Sequence, residues 1–144
     1  MIWIITRSAG LACCVHCVWQ LVRAQYERGE KRAAQVVVRK TAGTLGQLIA
    51  TGHATAGRVA TALTAMGMML MQAEPDPDDA MAAELLGRAE ELQTEPVPLT
   101  LLMLAKLKAK AGELAAADGL AARVLAAEPG NQMALGMRRR LKEL

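Results

Sequence analysis

Cys13, Cys14, His16 and Cys17 place three thiols and an imidazole within five residues, and these are donor types that suit zinc. A closed zinc site would need a second ligand pair, and the rest of the sequence supplies none. On a helix, only Cys13 or Cys14 shares a face with Cys17, while His16 points away. Buried free cysteines behave as small hydrophobes, so no metal is expected here. Nucleophilic catalysis would need a base beside a nucleophile and a third group to orient it. His16 and His53 are the two histidines, and neither sits in such a constellation. The acidic pairs Asp78-Asp79 and Glu90-Glu91 read as helix caps and solvated faces. Gly43-Thr44-Leu45-Gly46 lacks the Lys-Ser/Thr that completes a phosphate-binding loop. The sequence therefore predicts no enzyme, no catalytic residue and no cofactor.

Chemistry being absent, the helices and their surfaces must carry the function. The 144 residues are 53% hydrophobic, yet they include no Phe, one Tyr and two Trp. Ala, Leu, Val and Met supply the apolar mass, and strands would favour β-branched and aromatic residues instead. An all-α protein is expected. Residues 1–72 carry eight basic and two acidic groups, a net +6, whereas residues 73–144 carry nine and twelve, a net −3. A basic half can mark a nucleic-acid surface. Here the cations lie among acids or on polar helix faces, with no interleaved aromatics for base stacking, so nucleic acid is not the expected partner. Clustered cysteines cannot form a disulfide framework; they suit a reducing compartment and a cytoplasmic location.

Residues 2–22 are apolar apart from Thr6, Arg7, Ser8, His16 and Gln20. A membrane-anchored assembly factor, with this segment inserted, is one alternative reading. A structural subunit of a larger complex is another. Fifteen residues separate Arg7 from Arg23, fewer than the roughly 20 apolar residues that span a bilayer. Helical spacing gives a different account: His16, Gln20, Arg23 and Glu27 form one polar stripe, opposed by Leu11, Val15, Val18, Val22 and Tyr26. Ser8 is placed to cap this amphipathic helix and Gly29 to end it.

Further helical periodicity covers residues 30–41, with Ala34, Val37, Val38 and Thr41 on one face. Residues 44–73 form one long helix or two, with a break near Gly52, His53 and Gly57. Gly43, Gly46, Gly52, Gly57 and Gly67 are candidates for close helix approach. Glu74-Pro75-Asp76-Pro77-Asp78-Asp79 is a clear boundary, with Asp78 or Asp79 capping the next helix. That helix runs over 79–93, with Met81, Leu85, Leu86, Ala89 and Leu92 inward. Helices at 99–111 and 113–127 turn at Gly112, and Pro129-Gly130-Asn131 leads into a last one. Two regions result: a basic helical half over 1–73 and a second helical domain over 78–144.

Within the second region, Leu101, Leu104-Ala105, Gly112-Glu113-Leu114, Ala117, Ala121, Val124-Leu125 and Pro129-Gly130-Asn131 follow a known spacing. Residues 98–131 resemble one 34-residue tetratricopeptide repeat, a pair of antiparallel helices that stacks on its neighbours. Trp19-Gln20-Leu21-Val22-Arg23-Ala24-Gln25-Tyr26 is similar to the first helix of such a repeat, with Arg23 where a small residue belongs. Residues 44–94 fit no register. The resemblance implies antiparallel hairpins in a short right-handed array, closed by a capping helix over 132–144. That helix would turn Met133, Met137, Leu141 and Leu144 inward and Arg138, Arg139 and Lys142 to water.

The resemblance also implies a function. First helices of such hairpins line a concave groove, and in this register Lys106, Lys110 and Arg140 would face it. Three cations there would grip an acidic segment or a chain-terminal carboxylate. The expected role is a protein-binding adaptor or chaperone holding a peptide segment or helix of another protein.

Overall fold

Among the described residues only three glycines adopt a left-handed backbone, and they set the ends of three helices and so the path of the chain. Gly29, Gly52 and Gly112 have φ of 76°, 74° and 85°. At each, the reversed turn lets the amide that follows reach back to a carbonyl of the last helical turn. These bonds are Glu30 N to Gln25 O (2.8 Å), His53 N to Leu48 O (2.9 Å) and Glu113 N to Lys108 O (2.9 Å). The computed structural model describes residues 10–144, with side chains from Val15 onward. The readings that fall on residues 2–9, Ser8 among them, and on the side chains of Leu11, Cys13 and Cys14 lie outside those described residues and side chains.

Seven α-helices follow in the described residues, with no strand among them: α1 Gly10–Glu27, α2 Lys31–Ala50, α3 Ala56–Met71, α4 Asp79–Leu92, α5 Pro98–Lys110, α6 Leu114–Ala127 and α7 Gln132–Lys142. The all-α expectation holds. In α1, Val15, Val22 and Tyr26 are buried and Val18 is half-buried, while His16, Gln20, Arg23 and Glu27 are exposed. The two stripes fall where helical spacing puts them.

The chain departs from its expected course in the second helix. α2 continues through residues 41–50 rather than stopping before residue 44. Its buried stripe, Ala34, Val38, Ala42, Leu45 and Leu48, runs on at helical spacing across the expected gap. Within the helix, Thr41 and Thr44 donate their hydroxyls back one turn, to Val37 O (2.9 Å) and Lys40 O (3.0 Å). The break then comes at Gly52 and His53, and Thr55 caps α3 by accepting from Arg58 N.

Consecutive helices pack as antiparallel partners: α1 with α2, α3 with α4, α5 with α6, and α7 against α6. α3 and α4 form such a pair across the boundary at residues 74–78. The odd-numbered helices also pack directly on one another, α1 on α3, α3 on α5 and α5 on α7. The even-numbered ones are bridged by long side chains, Arg39 to Glu84 at 3.8 Å and Arg123 to Glu90 at 2.6 Å. Closer packing among the odd-numbered helices places them on the inner side of the stack. One hydrophobic core runs from Val15 to Ala134.

Two kinds of contact hold the hairpins. Gly67 sits where a Cβ would come within 2.8 Å of Leu86 Cγ, so its bare backbone lets α3 and α4 meet. Of the five glycines that were candidates for close approach, this one fulfils the role. Gly43, Gly46 and Gly57 have open space around them, and Gly52 is a helix terminator. In the third hairpin, Ala105, Ala117, Ala121 and Val124 are fully buried, as the close approach of α5 and α6 requires.

The second kind is polar. Asp78 is 3% exposed and caps α4, its Oδ1 accepting from Met81 N at 3.1 Å. Its Oδ2 accepts from Tyr26 Oη (2.6 Å) and Gln35 Nε2 (2.8 Å), which ties α1 and α2 to the start of α4. Burial raises the carboxyl's pKa, but the bonds from Tyr26, Gln35 and Met81 N outweigh it and hold Asp78 below the usual carboxylate range. Burial, together with the bond to Asp78, pushes the Tyr26 phenol well above its ordinary value. A smaller buried pair joins α3 to α5. Thr64 gives its proton to Ala60 O, so Thr100 is the donor in the 3.0 Å bond between the two hydroxyls.

Candidate functional site

The inner surface offers two adjoining grooves, both built on α5. The larger, about 540 Å³, lies between α5 and α7. Met103, Lys106 and Ala109 form one wall; Met133, Gly136, Met137 and Arg140 form the other, with Leu144 at the end. The smaller, about 360 Å³, lies between α3 and α5, with Met68, Met71, Met103, Lys106 and Lys110 in its walls. Met103 and Lys106 belong to both, so the grooves meet at Lys106.

Lys106 and Arg140 thus line one groove, and Lys106 and Lys110 line the next. The two sites differ in charge. Lys110 Nζ lies 2.6 Å from Asp79, so in the smaller groove Lys110 is compensated and only the shared Lys106 is not. Neither Lys106 nor Arg140 has an ion pair among the described residues, and the lining of the larger groove contains no acidic side chain. The division of labour at the Asp78-Asp79 pair explains the contrast. Asp78 turns inward as the cap, and Asp79, one residue on, turns outward to Lys110.

Two expectations for the last helix are corrected. Arg138 does not simply face water: it is half-buried, and its Nε and Nη2 reach both carboxylate oxygens of Asp118, at 2.7 and 3.2 Å. The bond to Arg138 holds the Asp118 carboxyl below its usual range and raises the guanidinium in turn. Nor do Met133 and Leu144 pack inward, being 59% and 84% exposed. α7 docks by the face centred on Ala134, its one fully buried residue. Met133 lies about 100° around the helix from that face, and Leu144 stands beyond the last turn. Both residues border the groove instead, while Met137 and Leu141 are half-buried. The groove wall is legible in retrospect as a stripe at helical spacing through Met133, Gly136-Met137 and Arg140.

Elsewhere, Cys17 is exposed rather than buried as expected, and the described residues hold no group of three or more His, Cys, Asp or Glu side chains placed to bind a metal. His16 is exposed and bonded to Gln20 at 3.3 Å, and His53 is bonded to Thr51 at 2.8 Å. No helix among the described residues is long and apolar enough to cross a membrane. No protein-family model matches the chain, and no curated protein is significantly similar to it.

Proposed function

We propose that the chain is a tetratricopeptide-like adaptor or chaperone module, non-catalytic and cytoplasmic, which holds a peptide segment or helix of another protein on its inner surface. The observation that carries this reading is the methionine-lined groove between α5 and α7, bordered by the exposed cations Lys106 and Arg140. Methionine is unbranched and polarizable, so such a wall adapts to varied apolar side chains. Apolar walls with a few placed polar groups are the usual make-up of a binding cleft.

Gly136 gives the test. It lines the groove, and a Cβ built on it would meet nothing within 4 Å, so Gly136→Phe is chosen to project a ring into the groove from an open backbone position. Displayed peptides selected on the immobilised chain should bind it in titration calorimetry and lose that binding to Gly136→Phe, with helix content unchanged by circular dichroism. Equal binding to both proteins would place the binding surface elsewhere.

A further inference from the structure

Resting on that reading, we infer that the segment held between α5 and α7 is an amphipathic α-helix with an acidic side chain at the edge of its apolar face. Two features of the groove carry the inference. The first is the lack of hydrogen-bonding partners. Among the lining side chains only Lys106, Gln132 and Arg140 are polar, and the walls are helices, which away from their ends have their backbone groups bonded within themselves. An extended peptide would lay its own amides and carbonyls against methionine and leucine, and each unpaired group costs about 1–3 kcal/mol. A helix brings its backbone bonds with it and offers only side chains, the helix-in-groove mode.

The second is charge. Lys106 and Arg140 border an apolar groove lined by no acidic side chain, while Lys110, one turn further along α5, is already matched by Asp79. Two unpaired cations therefore come together only in the larger groove, and that is where the carboxylate belongs. Lys106 stands at the junction of the two grooves, with methionine walls on either side. A ligand can continue past it, which points to an internal Asp or Glu rather than a chain terminus.

The test uses the full chain and two displayed libraries, one patterned as amphipathic helices and one of proline-containing extended peptides. Each is counter-selected on Gly136→Phe. Enriched helices should carry Asp or Glu beside the apolar stripe. Replacing that acid by its amide should weaken binding about fivefold, and the difference should shrink with added salt. It should also vanish in Lys106→Gln/Arg140→Gln and persist in Arg139→Gln, a neighbouring exposed arginine outside the groove. Enrichment of neutral or basic helices would overturn the charge assignment, and enrichment of extended peptides would overturn the helix; either leaves the groove reading standing. Groove-dependent binding to phosphatidylserine vesicles with no peptide selected would replace the helix with a membrane surface. No enrichment on the chain over Gly136→Phe would remove the groove reading and this inference with it.

Discussion

The junction between the first and second hairpins and the interior of the third hold helices together by different means. At the junction, a buried carboxylate gathers donors from α1, α2 and its own helix, with Tyr26 lying 52 residues away in the chain. Inside the third hairpin there is no such centre: Ala105, Ala117, Ala121 and Val124 simply remove bulk until α5 and α6 touch. A polar centre fixes direction as well as distance, because each bond has its own geometry. Small-residue packing fixes distance alone and depends on nothing being added. The first should therefore suffer most from deletion, and the second from insertion.

The largest effect is expected for Asp78→Ala. It removes the cap of α4 and leaves the Tyr26 hydroxyl and the Gln35 amide without their acceptor, together costing roughly 3–5 kcal/mol. Urea unfolding measures this, and a loss below about 1 kcal/mol, no more than a cap alone, would break the comparison. Ala117→Leu comes next, at roughly 1–3 kcal/mol from overpacking the α5–α6 contact. An unchanged melting temperature would show that the third hairpin does not depend on small residues. Gly67→Ala should be milder, about 1 kcal/mol, since Leu86 must shift while the helix gains from replacing glycine.

The smallest and most discriminating effect is that of pH. The folded pKa of Asp78 is lowered, so its contribution is fully present above the ordinary carboxylate value of about 3.9 and is lost as pH falls through the folded value. Stability measured by urea from pH 6 down to pH 2 should decline less steeply in Asp78→Asn than in the native chain. Parallel curves would mean that other carboxylates dominate the acid response.

The same contrast explains what the sequence could disclose. The third hairpin was readable because its determinants are local: Gly112 and the alanines recur at spacings that a helix pair imposes. The stripes of α1 were readable for the same reason. Asp78 showed its capping role, which depends on residues three positions away, but its bonds to Tyr26 and Gln35 depend on how three helices meet. Gly67 stood among five equivalent glycines until Leu86 was placed beside it. Lys106 and Arg140 line one groove from two different helices, whereas the partners of Lys110 and Arg138 belong to other helices and carried no local signal.

Stacked hairpins that touched only their neighbours would unfold piecemeal, each at its own free energy. The polar centre at Asp78 ties the first two hairpins to each other, so their amides should exchange with solvent together and slowly. α7 lies at the opposite extreme, with Ala134 as its one fully buried residue. Yet it supplies half of the groove between α5 and α7. The groove is thus walled by one deeply buried helix and one lightly buried helix, and a ligand that fills it would add contacts to the second. Protection of the α7 amides would then report occupancy directly, rising with bound ligand while the exchange of α1–α4 stays unchanged.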